Sequence, residues 1–169
     1  IPIRFVKVTH FLHAGMKASH PGSERKNYTL DLNTSIDHIL NRWNKNRKRI
    51  LKKSEALNPV LDQKVSASEF LDFYEKVPKY KPTNPRCLKA LKSLVNASND
   101  AVHLWGVRIN GELQSALCWI HDHHRIYYVV PVTSNKGKVS GAATFMIFKL
   151  IEAYLNKGYR LDFEGSMDA

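Results

Sequence analysis

Apolar residues alternate with polar ones in several short stretches of the chain, which is the pattern of half-buried β-strands. Tyr28, Leu30 and Leu32 show this alternation in the sequence NYTLDL. Asn110-Gly111 predicts a tight hairpin between two further strands, because this pair readily adopts the positive φ angles of a two-residue turn. The predicted strands are residues 27–32, 101–109, 112–122, 123–133 and 159–165, with a short extended segment at 59–63.

Between the strands, apolar residues recur every three or four positions, as they do along one face of an amphipathic helix. The predicted helices are residues 33–58 (capped by Thr34 or Ser35), 66–77 (Ser66 and Glu69 as a capping box), 85–98 (Pro85 in the first turn) and 143–158 (ended by Gly158). This order of elements predicts an α+β (mixed α/β) fold in which helices flank a central, mostly antiparallel sheet. If the strands before and after the last helix share that sheet, a right-handed crossover joins them in parallel.

Composition indicates a folded protein with a basic surface. Of 169 residues, 43% are hydrophobic and 24% are charged, which excludes intrinsic disorder and suffices for one domain. The net charge of +11 favours phosphate-bearing partners, namely a nucleotide-type cofactor, nucleic acid or an anionic surface. A basic surface that only keeps the protein in solution is the alternative.

Two cysteines and the distribution of apolar residues bear on the cellular compartment. Cys87 and Cys118 lie far apart and predict neither a disulfide framework nor a zinc site, so we expect a reducing, cytoplasmic compartment. Lys149 and Glu152 interrupt the most apolar stretch, at 141–155, so we expect no membrane-spanning helix.

A glycine-rich, basic segment, SNKGKVSGAAT at 134–144, precedes the last predicted helix. Backbone amides at a helix start are unpaired, and small residues let a ligand approach them, so this segment is suited to a phosphate or pyrophosphate. A flexible basic loop that happens to precede a helix explains the pattern equally well, and the spacing is neither a P-loop nor a Rossmann fingerprint. The candidate ligand contacts are Lys136, Gly137, Lys138, Ser140, Gly141, Ala142 and Ala143.

Residues 42–53 concentrate positive charge. The cations are Arg42, Lys45, Arg47, Lys48, Arg49, Lys52 and Lys53. One interpretation is a solvated face opposite an apolar stripe that contains Trp43 and Ile50. The other is a surface that binds phosphates, either those of transfer RNA or another nucleic acid or the 3′-phosphate of coenzyme A. No aromatic residue is interleaved on the cationic side, which argues against recognition of single-stranded bases by stacking.

Asp162 and Glu164 stand two positions apart in the last predicted strand, within LDFEGS at 161–166. Side chains two apart on a strand point to the same face. Two carboxylates on one face can raise each other's pKa and act as general base and general acid. The alternative is a structural role in an ion pair or as a helix cap, because structural networks also contain such pairs.

Four consecutive polar residues, His121, Asp122, His123 and His124, occupy a predicted turn. Neighbours on one short turn rarely supply a tetrahedral metal site, and no distant cysteine pair completes one. His10 and His13 are equally weak candidates, so we expect no metal.

The segment Lys138-x-x-Gly141-x-Ala143 resembles the Gln/Arg-x-x-Gly-x-Gly/Ala motif of the GNAT acyltransferases, with Lys138 in place of Gln or Arg. The resemblance implies a GNAT-like fold and implies that the loop binds the pyrophosphate of acetyl-coenzyme A or another acyl-coenzyme A. It also implies that the strand at 126–132 holds the donor through its main chain. Backbone amides near Val130 and Val132 would then polarise the reacting carbonyl.

A second resemblance is to the Fem-type family, GNAT-like relatives that form peptidoglycan bridges by aminoacyl transfer. Arg47, Ile50 and Lys53 are similar to its basic motif, and the tail at 162–166 is the most specific piece. This resemblance implies an aminoacyl-transfer RNA donor as the alternative, bound through the basic helix 42–53. It also implies that residues 1–169 form a single domain, the second half of a longer two-half protein.

The function we expect is transfer of an acyl group from acyl-coenzyme A to an amine by direct attack. Glu164 or Asp162 is expected to accept the proton of the amine. The competing class is a non-catalytic basic module that binds nucleic acid or protein.

Overall fold

The computed structural model describes residues 27–77, 85–97 and 100–164. The weak histidine pair at 10 and 13 and the end of the LDFEGS segment lie outside these residues. The strands are β1 (Thr29–Asp31), β2 (Val60–Asp62), β3 (Val102–Ile109), β4 (Glu112–His121), β5 (Arg125–Thr133) and β6 (Arg160–Asp162). The helices are α1 (Ile36–Asn41), α2 (Lys45–Glu55), α3 (Ala67–Lys76), α4 (Pro85–Val95), α5 (Asn135–Ser140) and α6 (Ala142–Tyr154).

All six strands belong to one sheet, in the order β1-β6-β5-β4-β3-β2. Only the pairing of β5 with β6 is parallel, and the other neighbouring strands run antiparallel. The chain between β5 and β6 contains α6, so these two strands are connected by the helical crossover that parallel pairing requires. The predicted α+β class with a mostly antiparallel sheet is confirmed.

Each face of the sheet has its own apolar core. Leu117 and Trp119 of β4 pack on one face with α1, α2 and α6, whereas Ala116 and Cys118 pack on the other face with α3 and α4. Successive residues of β4 thus alternate between the two cores, and all four are buried. This explains why the strand is apolar at nearly every position.

Several sequence signals act locally as predicted. Asn110 and Gly111 take φ angles of 52° and 78° in the β3–β4 hairpin. The Ser66 hydroxyl accepts the Glu69 amide at 3.1 Å and begins α3. The second half of the predicted capping box does not form, because the Glu69 carboxylate instead pairs with Arg108 at 2.7 Å.

The prediction of one helix over 33–58 is wrong, because two helices occupy that stretch. Ser35 caps α1 through the His38 amide at 3.1 Å. Asn44 then starts α2: its backbone is extended and its side chain accepts the Arg47 amide at 2.8 Å. An asparagine side chain that accepts a nearby backbone amide competes with continuation of the preceding helix. The spacing of apolar residues along the chain does not reveal this competition.

Two further boundaries differ from prediction. The last long helix ends at Tyr154, and Gly158 (φ 82°) lies in the turn that follows. The last strand ends at Asp162 rather than continuing through Glu164, whose φ of 55° is incompatible with a strand. Within the described ranges, no helix has the length and apolar character needed to cross a bilayer.

Candidate acyl-transfer site

Strands β5 and β6 separate shortly after they pair. Their parallel ladder ends at the pair Tyr127–Asp162. The residue after β6, Phe163, donates its amide to the Tyr28 carbonyl at 3.0 Å and so follows β1 away from β5. In the described part of the chain, β5 therefore has no strand beside residues 128–133 on this side, and a wedge opens between the two strands. We call the point where it begins the apex.

A bulge lies in β5 at the apex. Cys118 of β4 is opposite Val130, whereas Trp119 is opposite Tyr128, so Val129 is an extra residue without a partner in the register. Val129 and Val130 consequently pack into the same core although they are consecutive. A bulge twists its strand and leaves the backbone of the extra residue outside the regular ladder.

The backbone of Val132 points into the sheet and not into the wedge. Its carbonyl accepts the Ser115 hydroxyl of β4 at 3.2 Å, and the Ser134 amide donates to the Gln114 carbonyl at 3.1 Å. Backbone groups alternate in direction along a strand, so Val130 also faces β4. Polarisation of a carbonyl by the amides of Val130 and Val132 stays a prediction that this register does not favour.

The predicted phosphate loop is mostly helical. Residues Asn135–Ser140 form α5, capped by the Ser134 hydroxyl, which accepts the Gly137 amide at 3.0 Å. Gly141 (φ 77°) is both the C-cap of α5 and the N-cap of α6, so one residue separates the two helices. The expectation of an open loop is therefore wrong at residues 135–140.

Both glycines of this segment make room for protein. A Cβ at Gly137 would overlap the carbonyl oxygen of Gln114, and one at Gly141 would lie 2.6 Å from Cγ2 of Ile50. The glycines predicted that something approaches the backbone closely here, and the structure shows that β4 and α2 do so. Ser140 and Ala142 are buried as well, so the first turn of α6 offers little surface to a ligand.

The polar side chains of the segment are bound locally. The Lys136 ammonium pairs with the Glu112 carboxylate at 2.8 Å, and the Ser140 hydroxyl donates to the Gln114 side chain at 2.7 Å. Lys138 is exposed, with its ammonium 3.4 Å from the side-chain oxygen of Asn135. Of the cations predicted for phosphate, Lys138 is thus the less constrained.

Helix α2 presents its cations outward beside this segment. Its apolar side carries Leu51 and Ile50 toward α6, and neighbouring Trp43 packs edge-on against Phe148 at 6.5 Å, as predicted. Arg47 donates to the Thr144 hydroxyl at 3.2 Å, in the first turn of α6. None of the Lys and Arg side chains of α2 forms an ion pair with a described residue.

Asp162 and Glu164 are brought to the apex but do not share a strand face. Asp162 ends β6 and is buried, whereas Glu164 lies beyond the strand with φ at 55°. The Glu164 amide turns back to donate to Oδ1 of Asp162 at 2.9 Å. The prediction of a shared face is wrong, because it assumed that the strand continues past Asp162.

The histidine-rich turn is held by Asp122. Its carboxylate accepts the amides of His124 and Arg125 at 2.9 and 2.7 Å and the Tyr127 hydroxyl at 2.8 Å. Burial, followed by this bond, raises the pKa of Tyr127 to about 12. Over the described ranges, no three His, Cys, Asp or Glu side chains are grouped to hold a metal ion.

Residues 41–167 match the sequence profile of a family described as "Acetyltransferase (GNAT) domain". That match spans most of the chain. The chain belongs to the GNAT acetyltransferase family.

Solved structures agree with this GNAT assignment in fold. The chain is similar to FemX, with a TM-score of 0.68 and 10% identity over 85% of this chain and 55% of that one. It is similar to a conserved protein of unknown function from Bacteroides thetaiotaomicron, with a TM-score of 0.62 and 10% identity over 86% and 52% of the two chains. It is also similar to the C-terminal domain of a putative lysylphosphatidylglycerol synthetase from Agrobacterium fabrum. The TM-score is 0.54 and the identity 10%, over 84% of this chain and 47% of that one.

Identities this low make the likeness one of fold, and the chain spans about half the length of each of these three structures. No curated protein matches the sequence. The GNAT membership supports N-acyl transfer as the chemistry of the domain.

Three polar contacts of this GNAT domain escaped sequence reasoning. The Arg125 guanidinium and the Asn27 side chain both donate to Oδ2 of Asp162, at 3.1 and 3.2 Å. His103 of β3 bonds His121 at 2.9 Å between Nε2 and Nδ1. All three contacts join residues far apart in sequence, so no local pattern could have predicted them.

Proposed function

We propose that this GNAT domain transfers an acyl group to an amine by direct attack of the amine on the donor carbonyl. The observation that carries the proposal is the separation of β5 from β6 after the pair Tyr127–Asp162. Among the described residues, this separation leaves a strand edge along 129–133 on which a donor chain can bind through the main chain. The donor carbonyl would lie at the apex.

The bulge supplies a candidate group to polarise that carbonyl. Pro131 has no amide, and the backbones of Val130 and Val132 face β4. Val129 is the extra residue at the apex, so we assign the oxyanion-stabilising amide to Val129.

Glu164 is the candidate proton acceptor. It follows the last residue of β6 closely, at the apex, and is only half-buried, so an amine can reach it. A direct attack needs no nucleophile from the protein. Cys118 is unsuited to that role, because complete burial raises the pKa of its thiol to about 12.

Packing around the phosphate segment favours aminoacyl-transfer RNA over acyl-coenzyme A as the donor. Gly137 and Gly141 accommodate β4 and α2, and Lys136 is paired with Glu112, so little backbone or charge is left for a pyrophosphate. The outward cations of α2 have no ionic partner among the described residues. A surface of this kind suits the many phosphates of an RNA.

The proposal is tested by offering the full chain both donors separately with primary amines. Acetyl-coenzyme A is followed by thiol release, and a mixture of charged transfer RNAs by loss of the aminoacyl group. We expect amine-dependent turnover with charged transfer RNA and weaker or no turnover with acetyl-coenzyme A. Turnover with acetyl-coenzyme A alone would reverse the choice of donor.

The competing class is a binding module without catalysis. If neither donor were consumed above background while uncharged transfer RNA bound with strong salt dependence, the domain would be such a module. Amine-dependent consumption of either donor excludes it.

A further inference from the structure

We infer that Asp162 is a positioning residue: together with Arg125, it holds the backbone of Glu164 at the apex. This inference rests on the proposed function only in that Glu164 is the proton acceptor there. The holding contact itself is a property of the fold and can be measured without a donor.

Asp162 is a buried carboxylate that accepts hydrogen bonds from three other residues. It is 1% exposed. Oδ2 accepts from Arg125 at 3.1 Å and from Asn27 at 3.2 Å, and Oδ1 accepts the Glu164 amide at 2.9 Å. A buried carboxylate is costly without a charged partner, and Arg125 supplies that partner to Asp162.

Glu164 has a backbone conformation that needs support. Its φ of 55° is in the left-handed region, which is unfavourable for a residue with a Cβ. Such conformations persist where the surroundings impose them, and they are concentrated at functional sites. The bond from the Glu164 amide to Oδ1 of Asp162, two residues earlier, is a contact that stabilises this conformation.

The same geometry separates the roles of the two carboxylates. Both oxygens of Asp162 already accept hydrogen bonds, and its side chain is closed to a substrate amine. Glu164 is half-buried and follows the end of β6. Asp162 therefore acts through Glu164 and does not touch the substrate.

The experiment compares four forms of the full chain: wild type, D162A, D162N and the double variant R125Q/D162N. D162A removes the acceptor of the Glu164 amide. D162N keeps one oxygen but presents an NH₂ group either to Arg125 or to the Glu164 amide, both of which are donors. In R125Q/D162N the introduced glutamine can accept from that NH₂ group, which frees the asparagine oxygen for the Glu164 amide.

The first readout is exchange of the Glu164 amide hydrogen by NMR, which needs no donor. We expect faster exchange in D162A and D162N and near wild-type protection in R125Q/D162N. Unchanged exchange in D162A would overturn the inference, whatever the outcome of the activity assays.

The second readout is steady-state turnover with whichever of acetyl-coenzyme A and charged transfer RNA the wild type consumes. Misplacing a reacting group by about 1 Å costs on the order of a hundredfold in rate, so we expect kcat to fall by that order in D162A with KM for the donor little changed. R125Q/D162N should regain most of kcat although it has no carboxylate at position 162. A double variant as inactive as E164Q would show that Asp162 acts chemically, and would overturn the inference.

The two proposals fail in distinguishable ways. If wild type consumed neither donor but the Glu164 amide lost protection in D162A, the proposed function would fail while the positioning contact stood. If wild type showed turnover but exchange of the Glu164 amide were unchanged in D162A, the positioning inference would fail while the proposed function stood.

Discussion

The apex between β5 and β6 and the segment at 134–143 both carry sequence signals for chemistry, but the fold uses them differently. At the apex, Asp162 and Glu164 lie where the ladder between β5 and β6 ends. In the other segment, Gly137 and Gly141 are in contact with β4 and α2. A small residue thus predicts that something approaches the backbone, but not whether a ligand or the protein itself does so.

The two regions also differ in how their charges are arranged. Lys136 in the segment is neutralised by an exposed partner, Glu112, whereas the buried Asp162 is paired with Arg125. An exposed pair contributes little to stability, while a buried carboxylate depends on its partner. We therefore expect removal of Lys136 to change stability little, whereas removal of Arg125 would leave the buried Asp162 carboxylate without a charged partner.

The largest effect should follow E164Q at the apex. Loss of a general base typically lowers turnover by about 10²–10⁴-fold, and we expect that loss with donor affinity unchanged, because the glutamine retains the size of the side chain. The measurement is kcat and donor Kd for the full chain. The matched control is E152Q, at an exposed position of α6 where the carboxylate pairs with Lys149. Equal turnover in E164Q and E152Q would contradict the assignment of the apex.

The second largest effect concerns Gly141 and is one of stability. G141A must both adopt a positive φ and push Ile50 away, whereas G111A has the same kind of φ with no atom within 4 Å. The left-handed conformation costs about 1–2 kcal/mol in both, and overpacking adds about 1–3 kcal/mol to G141A alone. Chemical denaturation of both variants gives the difference. Equal losses in the two variants would show that α2 does not pack on Gly141, and would reopen the segment as a ligand loop.

The sequence predicted the fold well wherever one local pattern decides it. The hairpin at Asn110-Gly111, the cap at Ser66 and the alternation along β4 are set by neighbouring residues. The break at Asn44 and the end of β6 are not, because each depends on a side chain bonding nearby backbone in preference to a regular element.

The candidate site was predicted in part for the same reason. Glu164 and Asp162 were found because they lie close together in the chain, but Arg125, which binds Asp162, comes from the neighbouring strand. Its contribution follows from the parallel register of β5 and β6, and the short ladder that sets this register has no sequence signal. Likewise, no residue pattern indicated that Ile50 would lie against Gly141.

A smaller effect is expected on the outer surface of α2, where the cations have no ionic partner among the described residues. The triple variant R49Q/K52Q/K53Q should weaken transfer RNA binding about tenfold or more and make the salt dependence shallower by about 0.7–0.9 for each phosphate that is no longer neutralised. Filter binding at several salt concentrations measures both. The control is R86Q/K89Q/K92Q, which removes the same charge from α4 on the other face of the sheet. Equal losses in the two variants would mean that net charge, and not the α2 surface, governs binding.

The smallest effect concerns a third polar cluster, the half-buried pair His103–His121, which tests whether such a polar pair can be purely structural. The two rings are bonded at 2.9 Å, and His103 stacks on Trp119 at 4.0 Å between ring centroids. Burial, and then the neighbouring His121, hold the pKa of His103 below its usual value, although Asp100 acts in the opposite direction.

Because the folded pKa of His103 is depressed, the unfolded chain binds more protons below the ordinary histidine pKa of about 6.5, and stability falls as pH drops through that range. We expect Tm to fall by about 2–4 °C per kcal/mol of lost stability between pH 7.5 and 5.5, and to fall less in H103Q. The lowered pKa values of Asp31 and Asp62 affect stability only at more acidic pH. The control is H123Q, at an exposed position of the same turn, which should follow wild type. If H103Q lost as much stability as wild type over this range, His103 would not be the titrating group, and the pH dependence would have to come from another histidine.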